Sequence, residues 1–317
     1  MTRNRFPSPK KGQTLLHKNK LLNKIWNQRI LLLMLIPGLV FYVIYRYGPM
    51  FGVAIAFKDY SPFLGVIDSP WAGFKHFTRL FSNNDFWLLF RNTLSIGILS
   101  LLFAFPAAII FALVLNEVQS KRTKKLYQTV SYLPNFLSIV IVCSIFTGLF
   151  STSGPINQII GLFGGEAISF MYETKWYYVI YIVSEIWAGM GAGAIVYIAA
   201  LSGVDQTLYE AAEIDGCSRW KKIWNITLPA ILPTIITMLL LRIGNIIRVA
   251  PDKTLLLYTP MTQSIADIFG TYVHRVGIEQ RSYSFASAVG LFESVLASII
   301  LFIANRTSKR ATGESLW

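Results

Sequence analysis

Hydrophobic residues in this chain fall into long, nearly unbroken runs, not into the alternating or helical-face patterns of half-buried elements. A helix needs about 20 mostly apolar residues to cross a hydrocarbon core of roughly 30 Å. Six stretches meet that length: 30–57, 86–115, 127–150, 176–203, 230–249 and 283–304. The first begins ILLLMLIPGLVFYVIY, and Pro37 predicts a kink in it. No charge occurs in 94–115 or in 126–165. Span four is interrupted by Glu185, span six by Glu293, and span five carries Arg242 and Arg248. The pattern predicts an all-α polytopic membrane protein of six transmembrane helices over 30–305, with a basic arm at 1–29 and a short tail at 306–317.

Composition agrees. Of 317 residues, 54% are hydrophobic and 14% charged, too few charges to cover a water-soluble domain of this size. The net charge of +13 would suggest nucleic acid in a soluble protein, but its distribution excludes that reading. Basic residues crowd the arm (Arg3, Arg5, Lys10, Lys11, Lys18, Lys20, Lys24, Arg29), the 2–3 connection (Lys121, Arg122, Lys124, Lys125), the 4–5 connection (Arg219, Lys221, Lys222) and the tail (Arg306, Lys309, Arg310). The opposite connections hold fewer: Lys58, Lys75, Arg79, Lys175, Lys253, Arg275 and Arg281. The positive-inside rule then puts both termini in the cytosol, as an even number of spans requires, and the arm reads as an anchor to anionic lipid headgroups. Cys143 falls within a span and Cys217 in a cytosolic loop, so neither a disulfide nor a metal site is expected. The charged arm ahead of the first apolar run argues against a cleavable signal.

The 4–5 connection, GVDQTLYEAAEIDGCSRWKKIWNITLPAILP, is long enough for two short helices. Asp205 is a plausible N-cap for a helix over 207–214, which Asp215-Gly216 ends. A second helix over 218–226 places Trp220, Ile223 and Trp224 on one side and Lys221 and Lys222 on the other, and Pro229 and Pro233 mark re-entry into the membrane. A small helix lying across the membrane face is shaped to dock into a partner's groove.

Glu210-Ala211-Ala212, Gly216, Ile226 and Leu228-Pro229, with their spacings, resemble the EAA loop of binding-protein-dependent ABC importer permeases. Asn92-Thr93, Pro106 and Asn116-Glu117 are similar to the opening of that family's core. Thr271-Tyr272-Val273, 288–292 and the ending Gly313, Ser315-Leu316-Trp317 resemble its oligosaccharide/polysaccharide-type branch. Val249-Ala250-Pro251-Asp252-Lys253 departs from a Phe-Glu-Lys-like sequence expected there. The resemblance implies the type I ABC importer permease fold and makes 205–229 a coupling helix seated in an ATPase cleft. Glu210 would be the acidic contact, Ala211 and Ala212 would permit close approach, Gly216 would supply the bend, and Leu208 and Asp215 would complete the docking surface. It further implies a second, homologous permease in a heterodimer, two ABC ATPase subunits holding ATP and Mg, an extracytoplasmic solute-binding protein, an oligosaccharide as cargo, and residence in a bacterial cytoplasmic (inner) membrane.

Ionisable residues inside a bilayer face protein or a water-filled cavity. Glu185 lies about 14 Å into span four by helix rise, and Arg242 and Glu293 fall near the same depth. They read either as lining of the translocation path or as a structural ion-pair network, and Asn245 joins them as a path candidate. Arg242 and Arg248 together would suit an anionic sugar such as a uronate. Among 22 Phe, 15 Tyr and 8 Trp, Trp187 and Tyr132 are candidates to stack on sugar rings, although packing explains such residues equally well. Gly189, Gly191 and Gly193 suggest close helix approach.

The chain has no Gly-Lys dipeptide, hence no Walker A loop, so ATP hydrolysis belongs to another subunit. A membrane enzyme is disfavoured because His17, His76 and His274 lie far apart and no His-Glu-x-x-His, Asp-x-Asp or Gly-x-Gly-Asp motif occurs. The alternatives kept are an ion-coupled secondary carrier, which predicts inverted repeats and broken helices, and an importer permease for a solute other than sugar.

Overall fold

A computed structural model describes residues 27–317; most of the basic arm lies outside the described residues. The chain divides into two compact units, 1–54 and 55–317. The first contains most of helix α1 (Arg29–Phe57). Through Pro37 and onward to Met50 its side chains are exposed, as an apolar helix that faces lipid or another subunit requires.

The second unit is helical, and among the described residues β structure amounts to two isolated bridges, Lys58 with Trp71 and Ser61 with Gly65. Its long helices are α3 (Phe86–Asn116), α7 (Thr174–Ser202), α9 (Arg219–Gly244) and α12 (Tyr283–Thr312). Shorter ones are α2 (Lys75–Phe81), α4 (Lys121–Tyr132), α5 (Ile139–Leu149), α6 (Pro155–Leu162), α8 (Gln206–Ile214), α10 (Pro251–Leu257) and α11 (Phe269–His274). With α1, the long helices are the five that span by length and composition alone; a sixth exists only as a bent pair.

That bent pair corrects the expected third span. Lys121–Phe136 and Ile139–Leu149 meet at 102°, so the apolar run at 127–150 is not one straight helix. Pro134 ends the first piece in a 3-10 turn, Leu137 and Ser138 are extended, and the Ser138 hydroxyl caps α5. Helix α5 alone covers about 16 Å, half a bilayer core.

Prolines shape the long helices in a recurring way. Gly48, Phe105 and Leu228 each donate a backbone N–H five residues back, to Val43, Ser100 and Ile223, and each is followed by proline. A proline lacks the N–H for the regular ladder, and its ring crowds the carbonyl four residues earlier. A single wide turn absorbs both defects and the helix runs on. The second loop helix, expected over 218–226, and the fifth span, expected over 230–249, are thereby one helix, α9. The same helix stops at Gly244, short of the expected 249, where 245–248 form turns. Helix α12 continues beyond 305 to Thr312 and ends at Gly313 in the left-handed conformation (φ +78°). The tail then folds back, Leu316 N–H donating to the buried Asn305 side chain at 2.7 Å.

Small residues bring the helices together. Ala108 and Ala112 of α3 pack on Ala194 of α7, and a Cβ on Gly193 would lie 3.1 Å from Ala108 Cβ. A Cβ on Gly191 would stand 2.2 Å from the Ser131 carbonyl of α4, and one on Gly97 of α3 would stand 2.1 Å from the Ile246 carbonyl. In a membrane, where apolar surface gains nothing from leaving lipid, such backbone contact is the main source of packing energy. A second core joins Leu80, Phe86, Leu89, Phe269, Phe285 and Val289. Asn92 pins α3 to the chain before α11: its amide donates to the carbonyls of Ser264 (3.1 Å) and Asp267 (3.0 Å), and Thr93 Oγ1 accepts from Phe269 N–H.

Candidate functional site

Two regions carry candidate chemistry. At the loop, Asp205 caps α8: its carboxylate accepts from Thr207 N–H at 3.0 Å, and that hydrogen bond holds its pKa below the ordinary aspartate value. The far end of α8 closes with two reciprocal bonds, Cys217 N–H to Ala212 O (2.9 Å) and Gly216 N–H to Glu213 O (3.1 Å). This is the Schellman arrangement, and Gly216 at φ +69° supplies its left-handed residue. Ala212 is buried beneath the helix, whereas Leu208, Glu210, Ala211 and Asp215 are exposed. Tyr209 Oη lies 3.0 Å from Thr227 Oγ1 in α9, and Lys222 pairs with Glu213 at 3.5 Å. The loop helix is thus tied to the base of a spanning helix while its acidic face stays open. Ile214, Trp220 and Trp224 are exposed too, an apolar rim beside that face.

The second region is a cavity of about 450 Å³ among α3, α5, α7, α9 and α10. Of the residues predicted for a substrate path, Glu185, Arg242 and Asn245 line it; Trp187, Glu293 and Tyr132 do not. Arg242 forms an ion pair with Glu185, whose other oxygen accepts from the Ser100 hydroxyl. Ser100 opens the wide turn ahead of Pro106. Trp187 is half-buried and packs edge-on against Phe146, 5.7 Å between centroids, on the flank of the cluster of Val142, Phe170 and Ile180. Glu293 forms no ion pair with Arg242, so the expected three-member network reduces to one pair.

Sequence reasoning missed Lys253. Counted above among the outer-loop charges, it is buried, with Nζ 2.7 Å from the Tyr181 carbonyl and 3.9 Å from the centroid of the Tyr181 ring. A lysine beside Asp252 in a short polar turn reads as an ordinary surface charge; its position near Glu185 and Arg242 is tertiary. With Arg248 and Val249 it brings the atypical 249–253 segment into the cavity wall. The cavity therefore holds Arg242, Arg248 and Lys253 against one carboxylate, Glu185. Among the described residues no group of three or more His, Cys, Asp or Glu could hold a metal ion.

The sequence model of the family described as "binding-protein-dependent transport system inner membrane component" matches residues 104–310. Protein LplB of Bacillus subtilis (strain 168) is 47% identical over 90% of this chain and 91% of its own length. The polygalacturonan/rhamnogalacturonan transport system permease protein YteP of the same strain is 42% identical over 95% and 94%. Among solved structures, a bacterial alginate ABC transporter in complex with an alginate pentasaccharide-bound periplasmic protein has a chain 39% identical to this one. The two superpose with a TM-score of 0.85 over 94% of this chain and 100% of that one.

Proposed function

This chain belongs to the family of binding-protein-dependent transport system inner membrane components, and from that premise we propose that it forms, with a second, homologous permease, the path by which an acidic oligosaccharide enters a bacterial cell. A solute-binding protein outside hands the sugar over. Two ATPase subunits, holding ATP and Mg, bind the 205–229 loop from the cytosol, where both termini also lie. The single observation that carries the reading is α8 itself: a rigid, doubly capped helix with Glu210 exposed at its centre and Ala212 buried beneath it.

In operation, closure of the ATPases pushes on α8. Because α8 is bonded to α9 through Tyr209 and Thr227, and α9 carries Arg242, the push reaches the cavity along one continuous helix. Three cations facing one carboxylate in a partly apolar cavity favour a polyanionic sugar, since opposite charge is worth more there than in water. The polygalacturonan and alginate systems similar to this chain carry uronate polymers, which fits that charge.

The test is affinity purification of the tagged chain from its native membrane in mild detergent, wild type beside Glu210→Arg. Wild type should bring down an ATPase and a second permease, with ATP hydrolysis. The variant should lose the ATPase and keep the permease. Absence of any ATPase from wild type under all conditions would overturn the importer reading in favour of an ion-coupled carrier.

A further inference from the structure

A second cavity, of about 410 Å³, lies beyond the first toward the loop end of α7, walled by Ala104, Phe105, Met190, Tyr197 and Met238. Its walls are largely apolar too, but it lacks Arg248 and Lys253, so its only charges are Glu185 and Arg242. The two cavities follow one another along the same helices. On α3 the lining steps from Ile96 and Ser100 to Ala104 and Ala108; on α7 it steps from Tyr181 to Tyr197; along the turn after α9 and α9 itself it steps back from Arg248 through Arg242 to Met238. Glu185, Gly189, Arg242 and Asn245 line both.

We infer that the Glu185–Arg242 ion pair is a septum across one continuous path, and that a sugar carboxylate opens it by taking the place of Glu185 on the Arg242 guanidinium. This rests on the acidic-sugar reading above. The pair joins α7 to α9 at the level where the two cavities meet, while apolar packing of Tyr197 and Leu201 on Ile231 holds the helices together on the loop side. A guanidinium binds a planar carboxylate through paired N–H donors, so the incoming group satisfies Arg242 in place of Glu185, which keeps its bond from Ser100 and gives up the one to Arg242. Ser100, which donates to Glu185, holds the released carboxylate aside. Neutral sugars carry no group to make the exchange, and the septum discriminates against them.

The experiment has two arms in the intact transporter in its native membrane. In the first, Met238→Cys, in a chain with Cys143 and Cys217 replaced, reports entry of a membrane-impermeant maleimide added outside. Glu185→Gln should raise its labelling rate about tenfold or more, as loss of a charge-assisted bond implies. Should the single variant fail to assemble, Glu185→Gln/Arg242→Gln, which leaves no lone charge, should raise it as well. In the second arm, Arg242→Gln should lower uptake of trigalacturonate relative to galactotriose about tenfold or more, and Arg242→Lys should restore part of the preference. Unchanged labelling, or an unchanged uptake ratio, overturns the inference. Failure of the wild type to import either sugar would instead sink the acidic-sugar reading, while the labelling arm still decides the septum.

Discussion

Asn92 shows what a single polar side chain does inside this bundle. It is fully buried and uses both amide hydrogens on carbonyls of the chain before α11, while Arg91 donates to its oxygen at 3.0 Å. An unpaired carbonyl in hydrocarbon finds no water, so removing the donor costs the full desolvation of both acceptors. Asn92→Leu should destabilise the protein by about 2–5 kcal/mol on that count, read as an earlier thermal unfolding midpoint in detergent. Asn92→Asp, which keeps the size but loses two donors, should do no better. The motif role of Asn92-Thr93 was legible in the sequence as part of a resemblance, but its physical reason was not, since its partners lie more than 170 residues away. Lys253 is the converse case: its charge was visible and its burial was not.

At the scale of elements, α8 depends on its two ends. Gly216 sits at φ +69°, where an L side chain pays about 1–2 kcal/mol, and a Cβ there meets nothing within 4 Å. Gly216→Ala should therefore leave the fold intact and act only through the backbone. The expected result is an α8 with faster amide exchange at Asp215–Cys217, measured by hydrogen–deuterium exchange, and less transport per ATP hydrolysed. This helix and both caps were legible because capping chemistry is local: Asp205, Gly216 and their partners lie within six residues. The same locality failed at the prolines. The second loop helix read as ending at 226, yet a widened turn carries α9 on through Pro229, and the neighbouring packing that rewards continuity is not a local property. Pro134 did break its helix, because Leu137 and Ser138 could extend and Ser138 could cap the next one.

For the whole molecule, orientation is the property that the coupling scheme needs and that distribution of charge predicts. Ile214 and Trp317 should lie on the side of the ATPases, with Phe63 opposite; all three are exposed. Single cysteines at these positions, in a chain lacking Cys143 and Cys217, should separate cleanly under an impermeant thiol reagent applied to whole cells. Phe63→Cys should be labelled, while Ile214→Cys and Trp317→Cys should react only after the membrane is opened. Labelling of Ile214→Cys in intact cells would reverse the topology and remove α8 from reach of any cytosolic ATPase.

Five of the six expected spans and the capped loop helix follow from the amino-acid order alone, because each rests on a run of neighbours: apolar length against bilayer thickness, a cap two residues from its donor. The cavities do not. Glu185, Arg242 and Lys253 come from three helices, and nothing in their spacing tells that the first two pair across α7 and α9, that Lys253 is drawn inward over Tyr181, or that Glu293 stands apart. Helix rise gave them similar depth, but depth says nothing about the direction in which a side chain points. That was decided by how closely Gly97, Gly191 and Gly193 let the helices approach, which is a property of the packed bundle.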